Sequence, residues 1–130
     1  MKSKIILLLS ALFLMASCGN AAMQLARKAL SLEAKNANEM LAGKHVDPVT
    51  LCDSIIFDGK DLIYNYEIDE EQVSFEKIDQ EVLKSQIQSQ WETNPQLETI
   101  KEYLKAVEGS VIYNYSGSAT KEAFTISIGL

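Results

Sequence analysis

The sequence predicts an α+β domain: an N-terminal helix, a β-hairpin, two helices and a second β-hairpin, folded as a four-stranded antiparallel sheet with the helices packed on one face. Three observations predict it. Apolar residues recur at helical spacing over 21–42, 75–91 and 95–107. They alternate with polar residues over 61–68, 111–115 and 124–128. Turn signals, Asp58-Gly59-Lys60 and Ser116-Gly117-Ser118, separate the strands of each pair.

In the first helix, Ala26, Leu30, Ala37 and Leu41 follow helical spacing, and Arg27, Lys28, Glu33, Lys35 and Glu39 stay mostly off that line. Gly43 suits the residue just past the helix end, with Pro48 beyond. Thr50 to Phe57 is rich in β-formers. Leu62, Tyr64, Tyr66 and Ile68 alternate with Ile63, Asn65 and Glu67, as in a half-buried antiparallel strand. Ser74 suits the N-cap of a helix from Phe75 to Trp91, whose apolar face is Phe75, Ile78, Val82, Leu83, Ile87 and Trp91. Asn94-Pro95 reads as an N-cap followed by proline at the first helical position. The helix to Val107 buries Leu97, Ile100 and Leu104, and Gly109 ends it. Val111, Tyr113 and Tyr115, then Phe124, Ile126 and Ile128, mark the last two strands.

The first residues have a different character. Lys2 and Lys4 are positive, Ile5 to Leu14 is apolar apart from Ser10, and small Ala16 and Ser17 precede Cys18. That order describes a secretory signal peptide over residues 1–17, too short an apolar run to span a bilayer. Leu14-Met15-Ala16-Ser17-Cys18 resembles the lipobox of bacterial lipoproteins, with Met15 where leucine is commoner. The resemblance implies cleavage before Cys18, acylation of its sulfur by palmitate-like chains, and a mature chain 18–130 held to a membrane by that lipid. Two acyl chains suffice for stable anchoring, at about 0.8 kcal/mol per buried methylene. It also implies an envelope address. Gly19 after the cysteine, with no aspartate there and no acidic cluster following, points to the periplasmic face of the outer membrane; a Gram-positive cell surface is the alternative. The order of elements is similar to that of small α+β envelope lipoproteins.

Charge excludes one class of partner. Without Lys2 and Lys4, 10 basic residues face 18 acidic ones, a net charge of −8. Such a domain repels phosphate backbones and anionic lipid heads, so nucleic acid is not an expected partner.

Candidate chemistry is sparse. Ile63-Tyr64-Asn65-Tyr66 recurs as Ile112-Tyr113-Asn114-Tyr115. The repeat makes Tyr64, Tyr66, Tyr113 and Tyr115 a candidate recognition surface, with Trp91 as a further aromatic; the plainer explanation is two similar strands and a core-edge tryptophan. His45 is the single histidine, and Cys52 is the thiol left over from lipidation. A cysteine nucleophile needs the histidine within hydrogen-bond reach, with Asp47 or Asp53 to assist, and the spacing neither requires nor forbids it. Cys52 is expected to be buried. Zinc wants about four ligands, more than one histidine and one cysteine supply. Asp69-Glu70-Glu71 lacks the glycine and ordered spacing of a calcium loop. Gln86, Gln88 and Gln90 make an uncharged polar helix face open to a partner. No cofactor or metal is expected. The leading functional reading is a non-enzymatic binding or interaction module, an accessory, inhibitor or assembly factor with an envelope protein as partner; the alternatives are a small carboxylate- or cysteine-dependent hydrolase and a structural envelope protein.

Overall fold

The computed structural model describes residues 20–130; Cys18 and the leader lie outside them. Helix α1 spans Asn20–Leu41. Strands β1 (His45–Asp47), β2 (Thr50–Phe57) and β3 (Leu62–Ile68) follow. A short 3-10 turn, Phe75–Lys77, leads to α2 (Gln80–Thr93). A second, Pro95–Leu97, opens α3 (Glu98–Ala106), and β4 (Val111–Gly117) and β5 (Ala123–Ile128) close the chain.

The sheet has five strands in the order β1-β2-β3-β4-β5, and it is mixed. This corrects the expected four-stranded antiparallel sheet in two ways. His45–Asp47, expected as loop, is a three-residue edge strand paired with β2. It is too short to show an alternating pattern, and all three residues are exposed. The two hairpins β2–β3 and β4–β5 form as expected, but they join through a parallel β3–β4 pair. The 3-10 turns and helices between Ile68 and Val111 carry the chain back to the end of the sheet where β3 begins, so β4 must run the same way.

The Tyr-Asn repeat is the consequence. In the parallel register Ile63 faces Ile112, Tyr64 faces Tyr113, Asn65 faces Asn114 and Tyr66 faces Tyr115. Neighbouring parallel strands carry equivalent positions through equivalent layers, so the same residue suits both.

One face of the sheet packs on helices. Leu62 and Ile68 of β3, Val111, Tyr113 and Tyr115 of β4, and Ile126 and Ile128 of β5 are buried there, together with Ala26, Leu30 and Ala34 of α1, Ile87 and Trp91 of α2 and Leu104 of α3. A bulge between Cys52 and Ser54 lets β2 place both Cys52 and Ile55 on that face, although they are three residues apart. The freed backbone N–H of Ile55 donates to Asn38 Oδ1 of α1 at 2.8 Å, tying helix to sheet. On the opposite face an amide ladder crosses four strands. Asn65 donates to Ser54 at 3.0 Å, Asn114 donates to Asn65 at 3.0 Å, and Thr125 donates to Asn114 at 2.8 Å.

Two helix boundaries differ from expectation. The helix expected from Phe75 is broken after the 3-10 turn, because Asp79 takes the N-cap and accepts from the N–H groups of Glu81 and Val82. Ser74 makes no cap bond. At the end of α3, Glu108 rather than Gly109 takes the left-handed backbone, with φ 55°. The N–H of Gly109 donates to the carbonyl of Leu104 and that of Glu108 to Lys105, a Schellman closure. Gly109 is needed for another reason: a Cβ there would overlap the Lys60 carbonyl.

Candidate functional site

The four tyrosines come together on the helix-facing side of β3 and β4. Tyr64 and Tyr113 stack, with ring centroids 4.7 Å apart and planes 9° from parallel. Tyr66 meets Tyr115 edge-on at 5.5 Å, and Tyr115 stacks on Phe124 at 5.1 Å. Phe75 of the 3-10 turn extends the belt by packing against Phe124 at 5.2 Å. Such pairs contribute roughly 0.5–1.5 kcal/mol each beyond the area they bury. Tyr113 and Tyr115 are buried; Tyr64 and Tyr66 are half-buried. Trp91 is 2% exposed, and its indole N–H donates to the Tyr113 hydroxyl at 2.8 Å. Trp91 therefore touches the tyrosine cluster from within the core and helps to position Tyr113.

Burial pushes all four phenols above the usual tyrosine value, Tyr113 to about 12, where the Trp91 hydrogen bond partly offsets desolvation. They are uncharged groups at any physiological pH.

Beside this cluster the helix layer leaves a gap. A cavity of about 460 Å³ lies between the sheet, the 3-10 turn and the start of α2. Val49, Ile68, Val73, Ile78 and Leu83 give it apolar walls, while Asp47, Lys77 and Tyr115 supply polar groups. A second cavity of about 250 Å³ shares Asp47, Leu83 and Tyr115 with the first and adds Tyr66, Tyr113, Gln86 and Gln90. Small-molecule sites typically offer some 300–1,000 Å³ of mostly apolar wall with a few polar groups. Sequence reading found the tyrosines and Gln86 and Gln90 but missed the apolar wall. Val49 and Val73 lie outside any periodic segment, and Ile78 and Leu83 read as the core stripe of one continuous helix. The break at Asp79 that opens the gap had one visible sign, an aspartate two residues before Glu81, in cap position.

Cys52 is fully buried on the helix side, and burial, helped by Asp53, pushes its thiol up. His45 is exposed on the edge strand, pairing by backbone register with Leu51. In the acidic bend the carboxylates bind the chain itself. Asp69 accepts from the N–H of Glu71 and the amide of Gln72. Glu70 accepts from the N–H groups of Ala119 and Thr120 at 2.9 and 2.8 Å, closing the β4–β5 turn, and these bonds hold its carboxyl below the usual range. Among the described residues, no three His, Cys, Asp or Glu side chains converge as a metal site requires. No described helix is long and apolar enough to cross a membrane.

The architecture is thus a mixed five-stranded sheet with helices on one side and an aromatic-floored gap in the helix layer. No family model matches the chain, and no curated protein matches it. Its fold is similar to a crystal structure of a protein from Pseudomonas aeruginosa described as secreted, with a TM-score of 0.57, 15% sequence identity, and coverage of 80% of this chain and 92% of that one. At that identity the likeness is one of fold.

Proposed function

We propose that this chain is an exported, lipid-anchored envelope protein that works as a non-enzymatic binding module, taking a small amphiphile in the cavity beside the tyrosine cluster. The cavity carries the reading: apolar walls for a hydrocarbon body, with Lys77, Asp47 and the Tyr115 edge supplying polar contacts for a head group. Binding rather than hydrolysis is favoured because the Cys52 thiol is buried and its protonated form favoured, while His45 faces solvent. The signal-peptide pattern and the lipobox-like Leu14–Cys18 segment support export and anchoring, and the secreted protein of similar fold agrees with export.

A fluorescent fatty acid, cis-parinaric acid, tests the binding reading by titration into the protein. Saturable emission that Leu83→Trp abolishes, and that Ser127→Trp on the far sheet face leaves intact, is the expected result. Emission that does not saturate, or that ignores the filling of the cavity, overturns it.

A further inference from the structure

Helix α1 carries two apolar lines, and the fold uses only one. Ala26, Leu30 and Ala34 are buried against the sheet. Leu25 and Leu32, seven residues or about two turns apart, stay 66% and 59% exposed on the outward side. Ala22 and Ala29 fall on the same line, so the first three turns present a continuous apolar strip to the outside.

We infer that this strip is a membrane-contact surface, and that α1 lies along the phospholipid headgroups with Leu25 and Leu32 toward the acyl region. The inference rests on the anchoring proposed above. Three observations point to a bilayer rather than another occupant. First, α1 begins at Asn20, two residues after Cys18, so the covalent tether spans no more than about 7 Å. An acyl group on Cys18 holds the start of this helix at the surface. Second, α1 is the most basic of the three α-helices among the described residues: Arg27, Lys28 and Lys35 outnumber Glu33 and Glu39, in a domain whose net charge from residue 18 onward is −8. Third, Lys28 and Lys35 stand three residues after Leu25 and Leu32, bordering the strip where their stems can lie along it and their ammonium groups reach phosphate, while Glu33 borders the other side. The acyl chains supply attachment; the strip sets orientation. With α1 down, the uncovered amide-ladder face points away from the membrane.

The test uses full-length protein extracted from cells with its native modification and reconstituted into phosphatidylethanolamine–phosphatidylglycerol vesicles. Leu25→Cys, Leu32→Cys and Ser127→Cys each receive an environment-sensitive fluorophore; buried Cys52 does not react. Nitroxide-bearing lipids then report depth. The expected result is at least twofold stronger quenching at positions 25 and 32 than at 127. Mass measurement of the same sample separates the two readings. An acylated Cys18 with equal quenching at all three positions overturns the inference and leaves the anchor standing. Disulfide-linked dimers of the unlabelled Leu25→Cys or Leu32→Cys protein, formed in the vesicles on mild oxidation, overturn it in favour of a second copy. An unmodified Cys18 thiol overturns both.

Discussion

Replacing Tyr113 by phenylalanine removes one oxygen and leaves the ring. The structure makes the consequence specific. Trp91 is 2% exposed and its indole N–H, a donor with no alternative role, bonds only the Tyr113 hydroxyl. In the variant that N–H stays buried without an acceptor, which costs about 1–3 kcal/mol. No packing cost adds to it, because the stack on Tyr64 at 4.7 Å needs only the ring. For a domain near 100 residues each kcal/mol lowers the Tm by roughly 4–8 °C. Urea unfolding followed by emission of the single tryptophan measures the loss. Tyr115→Phe is the control. Its ring stacks on Phe124 and its edge lines the cavity, so its loss is expected to stay under about 0.5 kcal/mol. Equal losses in the two variants would refute the assignment of a buried Trp91–Tyr113 bond as the element that holds the aromatic floor.

Gly109→Ala is expected to destabilise by about 1–3 kcal/mol in the same assay, because the new methyl overlaps the Lys60 backbone carbonyl and one of two loops must move; unchanged stability would contradict that close approach. Asn38→Ala strips the acceptor from the Ile55 N–H at the β2 bulge and is expected to cost about 1–3 kcal/mol, with faster amide exchange at Ile55 as its local signature. The tyrosine cluster sets an alkaline limit. Each buried phenol is raised above its unfolded value of 10.0, Tyr113 to about 12, so the folded state binds protons that the unfolded chain releases. Stability is then full below about pH 10 and falls as pH rises toward 12, by about 2 kcal/mol for Tyr113 alone. Tyrosinate absorbance measured against circular dichroism checks it: four phenols titrating near pH 10 in a still-folded chain would contradict the burial.

The sequence alone determined the local elements. Periodicity placed α1 and both hairpins to within a residue or two, since side-chain spacing reports which face of an element is buried. It named the Tyr-Asn repeat and the cap at Asn94, whose side chain accepts from the Gln96 N–H as read. Tertiary structure decided everything that depends on which elements meet. The parallel β3–β4 pairing follows from the path of the crossover, and no residue in either strand encodes that direction. The edge strand β1 exists only because β2 offers it hydrogen bonds. The bulge that puts Cys52 and Ile55 on one face depends on Asn38, more than a dozen residues away. The cavity is a property of what α2 fails to cover, and the strip on α1 became visible only when the sheet had taken the other line of apolar residues. Local propensity acts over a few residues; contacts between distant segments are set by packing, and there the deciding information is geometric.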